Sequence, residues 1–170
     1  MGMGRYRPPQ PKSSPYITGD GYDTLNAELE ALWVRRRDVV KHLSAAAAEG
    51  DRSENAEYIY RKKELREIDR RIRYLQKRIP ELKVVRDKPS NSDQVFFGAW
   101  VTLEDDDGNE VTYRIVGPDE LDLPNGHISM DSPMAKALLK KHVDEDISVE
   151  TPQGSKPYYI SRVSYESKSN

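Results

Sequence analysis

The sequence predicts an α+β protein in which an N-terminal antiparallel coiled-coil helical hairpin precedes a small module of one sheet and one helix. Two successive stretches carry apolar residues at heptad spacing, and short runs rich in β-branched and aromatic residues follow them. Charged residues make up 33% of the chain and apolar residues 36%. Because globular domains usually hold ~45–50% apolar residues, this composition favours an elongated shape with a large surface.

The composition also limits the possible function classes. The 170 residues include no cysteine, which excludes disulfides, zinc fingers and cysteine nucleophiles. No stretch of the sequence is apolar enough to span a membrane, and the first residues lack the apolar run of a signal peptide. We therefore expect a cytoplasmic protein with no membrane partner.

The chain divides into three predicted parts. Residues 1–16 contain four prolines and several polar residues, which predict a disordered leader. Residues 17–88 are expected to form the coiled-coil hairpin, with an acidic tip near residues 51–54. Residues 89–170 are expected to form the C-terminal module.

The two folded parts differ in charge. Residues 33–88 hold 17 basic and 10 acidic residues, whereas residues 89–150 hold 4 basic and 14 acidic residues. Segments of opposite charge suggest two modules that face two different surfaces, one of them a polyanion. Charge alone favours the simpler interpretation of two solvated faces.

The hairpin is predicted from two heptad stripes, Tyr22 to Ala46 and Tyr58 to Leu82, each interrupted once by an arginine. Antiparallel pairing matches positions whose numbers sum to 104, which places the reversal at residue 52. We expect helices from about Asp20 to Glu49 and from about Ser53 to Leu82. Each helix of about 30 residues would be roughly 45 Å long.

The C-terminal module is predicted from strand patterns and one helix start. The Asp107-Gly108 pair indicates a hairpin turn, and Ser132 followed by Pro133 indicates a helix N-cap and first turn. The expected strands are 95–104, 111–116, 147–151 and 158–165, and the expected helix ends near Lys141.

Two carboxylates flank the predicted reversal of the hairpin. Asp51 and Glu54 provide the oxygen ligands that Mg²⁺ prefers, but two carboxylates are half a site and need a partner for the remaining ligands. The same spacing fits a capping box, with Asp51 as the N-cap and Glu54 at the third position of the second helix. Spacing alone favours this capping interpretation.

Two motifs resemble one known family. Residues Gly50 to Tyr58 read GDRSENAEY and closely resemble the tip motif of the bacterial Gre transcript-cleavage factors. Residues Ser129 to Leu139 read SMDSPMAKALL and resemble the second signature of that family. The resemblance extends from about Tyr16 to Tyr165, and Arg52 with the basic run 61–75 is similar to the GreB branch.

The resemblance implies an FKBP-like fold for the C-terminal module and bacterial RNA polymerase as the partner. It implies that the hairpin enters the secondary channel and stimulates Mg-dependent endonucleolytic cleavage of the 3′ RNA in backtracked complexes, which rescues arrested elongation. The protein would be an accessory factor rather than an enzyme. Asp51 and Glu54 would be the catalytic carboxylates, holding Mg²⁺ jointly with the polymerase active centre and binding none tightly alone.

The resemblance also assigns contact residues. Those expected to touch the backtracked RNA 3′ end or the channel walls are Arg52, Asn55, Arg61, Lys62 and Lys63. Those expected to dock the C-terminal module on the polymerase rim are Asp131, Ser132 and Pro133. For these last three, a purely structural role at the start of the helix has equal weight.

Other function classes stay open. A non-catalytic channel binder would modulate polymerase, although the intact Asp51 and Glu54 argue against it. A coiled-coil chaperone or scaffold would bind through the basic flanks, and neutralising both carboxylates would then have no effect. A stand-alone metallonuclease is least favoured, because two carboxylates on an exposed apex provide neither a cavity nor enough ligands. The self-paired hairpin leaves little apolar surface, so we expect a monomer.

Overall fold

The computed structural model describes residues 12–50 and 55–166, which form two compact units. The helical unit is Ile17–Arg86, and the second unit contains the described residues up to Tyr16 together with those from Asp87 onward. Within the described ranges, no helix has the length and apolar character needed to cross a membrane.

The helical unit is the predicted hairpin. Its two helices are α1 (Gly19–Ala47) and α2 (Ala56–Arg78). The second helix ends earlier than the expected Leu82, because Pro80 lacks an amide donor and the chain continues as a 3₁₀ turn over Ile79–Glu81. A two-stranded sheet of β1 (Tyr16–Thr18) and β2 (Lys83–Val85) lies at the open end of the helices; strands this short gave no signal in the sequence.

The seam between the helices follows the predicted register. Every predicted seam position is buried or half-buried. Leu75 shares one apolar cluster with Leu29, and Ile72 shares a second cluster with Leu32, as antiparallel pairing requires. The heptad prediction is therefore confirmed: the positions predicted to face the partner helix lie in the seam.

Ion pairs cross the seam at three levels. Glu28 pairs with Arg71 at 3.0 Å, Arg35 with Glu64 at 2.6 Å, and Arg36 with Asp69 at 2.7 Å. Arg36 is the arginine that interrupts the first stripe, and its hydrogen bond to Asp69 raises its pKa above the usual value. Each pair joins a residue of α1 to a residue of α2, so a slip in the register of the two helices would separate the partners.

The second unit contains a five-stranded sheet and one helix. The elements are β3 (Trp100–Glu104), β4 (Glu110–Val116), β5 (His127–Ser129), α3 (Pro133–Leu138), β6 (Asp146–Thr151) and β7 (Gly154–Ser164). The strand order is β5-β4-β3-β7-β6, and neighbouring strands are antiparallel except β4 and β5, which are parallel.

The core of this unit contains Val101, Leu103 and Ile160 from the sheet and Leu138 from the helix, all fully buried. The α+β prediction is confirmed.

Two predicted elements of this unit extend beyond their observed bounds. The strand expected from residue 95 begins at Trp100, because the Val95 amide bonds to the Lys141 carbonyl and Gly98 turns the chain with φ of +88°. The helix expected to reach Lys141 ends at Leu138, because Lys140 adopts a φ of +71° that no helix accommodates.

The prediction of a disordered leader over residues 1–16 is wrong for its last residues. Ser14 hydrogen-bonds to Asp131, and Tyr16 begins β1. The bond between Ser14 and Asp131 spans 117 positions, and β1 pairs with the distant β2. The local, proline-rich sequence therefore gave no sign of either contact. Residues 1–11 of the predicted leader lie outside the described residues.

Candidate functional site

Asn55 joins the ends of the two long helices. Its Oδ1 accepts a hydrogen bond from the Tyr58 amide at 3.1 Å, which caps the start of α2, and its Nδ2 donates to the Ala46 carbonyl at 2.7 Å. Both partners lie in the terminal turns of their helices, where the regular intrahelical bonds end. The Ala46 carbonyl also accepts from the Glu49 amide at 3.2 Å. Ala46 is 3% exposed, so the Asn55 side chain ties the start of α2 to a buried carbonyl near the end of α1.

The segment between these ends contains the predicted catalytic residues. Asp51, Arg52 and Glu54 lie outside the described residues, between Gly50 and Asn55. Since Asn55 is the N-cap of α2, the interpretation of Asp51 as the N-cap of that helix is wrong.

The described residues were compared with the needs of a metal site. Across residues 12–50 and 55–166, no three or more histidine, aspartate or glutamate side chains gather as metal ligands. Asp51 and Glu54 remain as the candidate ligands in the sequence. Mg²⁺ commonly takes one or two protein carboxylates and keeps its other positions for water and phosphate. The donor chemistry fits Mg²⁺ provided that a partner supplies the remaining ligands.

Arg61, a predicted RNA or channel contact, is engaged within the hairpin. Its Nε lies 2.8 Å from Oε1 of Glu57 and its Nη1 lies 3.2 Å from Oε2 of Glu64, and its side chain is 17% exposed. The hydrogen bond to Glu57 raises the pKa of Arg61 above its usual value. Glu64 also binds Arg35. The acidic partners stand at i−4 and i+3, a spacing from which the sequence could have predicted this network.

Lys62 and Lys63 remain exposed on α2. The Nζ of Lys62 lies 5.8 Å from the ring centroid of Tyr58, within range of a cation–π contact that leaves the ammonium accessible to water. Of the three described basic residues predicted to contact RNA or the channel, Arg61 is neutralised by neighbouring carboxylates, whereas Lys62 and Lys63 keep accessible charges.

The predicted docking residues lie together before and at the start of α3. Ser132 is the N-cap, and its Oγ accepts from the Ala135 amide at 3.2 Å, while Pro133 is the first helical residue. Ser132 and Pro133 therefore have the predicted structural role of starting the helix. Asp131 is half-buried, and its carboxylate accepts hydrogen bonds from Ser14. Sequence reasoning did not identify Ser14.

Comparison with known proteins gives matches over both units. The family described as "Transcription elongation factor, N-terminal" matches residues 15–84, and the family described as "Transcription elongation factor, GreA/GreB, C-term" matches residues 89–165. Transcription elongation factor GreB of Pseudomonas aeruginosa is 56% identical over 164 residues, which covers 96% of this chain and 98% of the relative. GreB of Xanthomonas axonopodis pv. citri is 56% identical over 167 residues, covering 97% and 99%.

Among solved structures, the crystal structure of GreA factor homolog 1 of Thermus thermophilus is 28% identical to this chain. The match covers 87% of this chain and 97% of that chain, with a TM-score of 0.40. The sequence matches, which span nearly the full length of the chain, show its family.

Proposed function

The chain belongs to the GreA/GreB family of transcription elongation factors, in its GreB branch, and we propose that it stimulates RNA cleavage by bacterial RNA polymerase. In this proposal the hairpin enters the secondary channel of a backtracked complex, and cleavage of the 3′ RNA rescues arrested elongation. The factor acts in the cytoplasm as a monomer.

The bond between Asn55 and Ala46 is the observation that carries the proposal. It brings the ends of α1 and α2 together, so the segment with Asp51 and Glu54 connects two helices that are held side by side. With 29 residues, α1 extends about 43 Å. A rod only two helices wide can reach a centre inside a channel that a globular domain cannot enter.

Each group of residues has its own task in this proposal. Asp51 and Glu54 offer carboxylate oxygens, and Asn55 limits the span between the helix ends. When bound between these carboxylates and the polymerase, Mg²⁺ supplies charge neutralisation and an activated water for phosphodiester hydrolysis. Lys62 and Lys63 offer cations to RNA phosphates or to acidic channel walls. The factor brings half of a metal site, which makes it an accessory factor rather than an enzyme.

The C-terminal unit provides docking. Asp131 presents a carboxylate beside the start of α3, and residues 89–150 carry an excess of ten acidic charges, 14 acidic against 4 basic residues. This charge suits a basic surface on the rim of the channel. Docking and cleavage are thus assigned to different units of the chain.

The test uses a polymerase complex halted in a backtracked state with 5′-labelled RNA and Mg²⁺. Wild-type protein is expected to shorten the RNA. Asp51→Asn and Glu54→Gln are expected to bind the complex without cutting, because each keeps the side-chain size and loses the charge. Glu49→Gln is the matched control, since it removes an exposed carboxylate from the α1 side of the same connection.

Cleavage by both tip variants at the wild-type rate would contradict the proposed chemistry. Binding by wild-type protein with no cleavage would instead support a factor that modulates polymerase from the channel. RNA hydrolysis without polymerase would contradict the role of an accessory factor.

A further inference from the structure

A groove on one flank of the hairpin involves none of the residues used in the proposed function. It lies between α1 and α2 and has a volume of about 520 Å³, within the range of small-molecule sites. Trp33 lines it from α1, and the buried Ile72 of the seam contributes apolar surface from α2. The groove therefore combines an aromatic wall with an apolar base.

Trp33 presents an aromatic surface to the groove. It follows the seam position Leu32, but Trp33 itself is 39% exposed and does not belong to the buried seam. An accessible indole ring is a platform on which a nucleobase can stack, whatever the identity of the base. This side chain favours a ligand with a flat aromatic ring.

Three arginines line the groove from α2. Arg66, Arg70 and Arg73 follow one another at spacings of four and three residues, which places them on one face of the helix. All three are exposed, and none of the ion pairs formed among residues 12–50 and 55–166 includes one of them. They extend over about 10 Å of helix, so a chain of phosphates can meet all three and a single phosphate cannot.

The charge of the groove favours an anion. Asp69 also lines the groove, but its carboxylate accepts a hydrogen bond from Nε of Arg36 at 2.7 Å. Four arginines and one aspartate line the groove, which gives a net charge of +3. A polyphosphate complements this charge, and the indole adds a preference for a polyphosphate that carries an aromatic base.

We propose that this groove binds a nucleoside triphosphate, whose base stacks on Trp33 and whose phosphates pair with the three arginines. Guanidinium groups bind phosphate oxygens through paired hydrogen bonds. One tryptophan and a groove of this volume fit a single nucleotide better than a strand of several. Arg70 lies 15 residues beyond Asn55, about 22 Å along α2, so the site is separate from the end of the helix that follows Asp51 and Glu54.

The test titrates the full chain with ATP by isothermal calorimetry, in the absence of polymerase. Wild-type protein is expected to bind one ATP per chain with a Kd below about 1 mM. Trp33→Leu should raise this Kd at least about fivefold, the smallest effect typical of a lost base stack. Trp33→Phe should restore most of the affinity, because it keeps an aromatic ring.

The arginines are tested in the same titration. Arg70→Gln and Arg73→Gln should each raise the Kd for ATP about two- to fivefold, the range for an exposed ion pair. Arg37→Gln is the matched control, because Arg37 is exposed on α1 and does not line the groove. The helical circular dichroism of each variant should equal that of wild type, since every substituted side chain is exposed.

Inorganic triphosphate and a short single-stranded RNA separate the alternatives. Triphosphate should bind more weakly than ATP, and Trp33→Leu should not change its affinity. Equal affinities for triphosphate and ATP, both insensitive to Trp33→Leu, would show a surface that attracts any polyanion and would overturn the proposal. RNA binding that depends on Trp33, with no binding of ATP, would assign the groove to a polynucleotide and would also overturn it.

The remaining outcomes are equally decisive. Absence of saturable ATP binding to wild-type protein, or equal effects of Arg37→Gln and Arg73→Gln, would contradict the nucleotide site. Because the titration contains no polymerase and changes neither Asp51 nor Glu54, such a result would leave the proposed function standing.

Discussion

At the scale of single residues, Asn55 makes a testable contribution to the hairpin end. Asn55→Asp keeps an acceptor for the Tyr58 amide but replaces the donor to the buried Ala46 carbonyl with a second acceptor. The Ala46 carbonyl keeps its bond from the Glu49 amide, so we expect the free energy of unfolding to fall by about 0.5–1.5 kcal/mol, the net contribution of one hydrogen bond. The cleavage rate at saturating factor should also fall, because the helix ends are then tied less closely. Urea unfolding and RNA cleavage measure the two effects.

The matched control for this variant is Asn26→Asp. Asn26 also donates an amide hydrogen bond to a carbonyl, that of Tyr22, but both residues lie on α1. Its replacement should leave cleavage at saturating factor unchanged. Equal losses of cleavage in the two variants would contradict the role assigned to Asn55.

The basic residues near the hairpin end are expected to differ in their salt dependence. Lys63→Gln should lower the slope of log affinity against log salt by about one, because its exposed charge is free to meet a phosphate. Arg61→Gln should leave that slope unchanged, because Glu57 and Glu64 already neutralise this charge. Binding to a backtracked complex at several salt concentrations checks both, and equal slopes for the two variants would contradict the distinction.

Whether a residue's role was predictable depended on how far its partner lies along the chain. The partners of Arg61 stand within one helical turn, so the sequence already contains the information. The contact between Asn55 and Ala46 crosses the connection between two helices. The contact between Ser14 and Asp131 depends on the fold of the entire second unit, and no local pattern marks it.

At the scale of elements, the turn between β3 and β4 is expected to respond to acid. The Asp105 carboxylate accepts hydrogen bonds from the Asn109 amide at 2.9 Å, the Asn109 side chain at 3.3 Å and the Asp107 amide at 3.0 Å. These bonds, with that from the Asn109 amide the strongest influence, hold the pKa of Asp105 below its usual value.

The direction of the pH effect follows from the lowered pKa. The ionised carboxylate stabilises the folded state above the pKa of the unfolded chain, and this stabilisation is lost as the pH falls through the lower pKa of the folded state. Asp105→Asn should therefore reduce the acid-induced loss of unfolding free energy, measured by urea unfolding from about pH 5 to pH 2. Asp106→Asn, which removes a charge from the exposed neighbour, is the control; an equal change in both variants would contradict the assignment.

The elements also differ in how far the sequence could predict them. The helices α1 and α2 repeat one apolar spacing over many turns, so their pairing register could be predicted from residue numbers alone. By contrast, β5 has three residues and pairs in parallel with β4, which leaves too short a pattern to detect. The start of α2 was misplaced because two polar residues, Asp51 and Asn55, each suit an N-cap, and the bond from Asn55 to Ala46 favours the second.

At the scale of the whole molecule, the charge is divided between the two units. The segment 33–88 carries a net +7 and the segment 89–150 a net −10. In the proposed function, the basic hairpin meets RNA or acidic channel walls and the acidic unit meets the rim. Docking should therefore set the affinity of the factor, and the tip should set the rate of cleavage once it is bound.

This division predicts a dominant inhibitor. Asp51→Asn lacks the tip charge but keeps the docking unit, so an excess over wild-type protein should occupy polymerase and suppress RNA cleavage. Adding Asp131→Ala to that variant should abolish the suppression, because the double variant no longer competes for the docking surface. Cleavage of 5′-labelled RNA is measured at fixed wild-type protein with increasing variant. Suppression that persists in the double variant would show that the hairpin binds without the C-terminal unit, and would contradict the assignment of docking to Asp131.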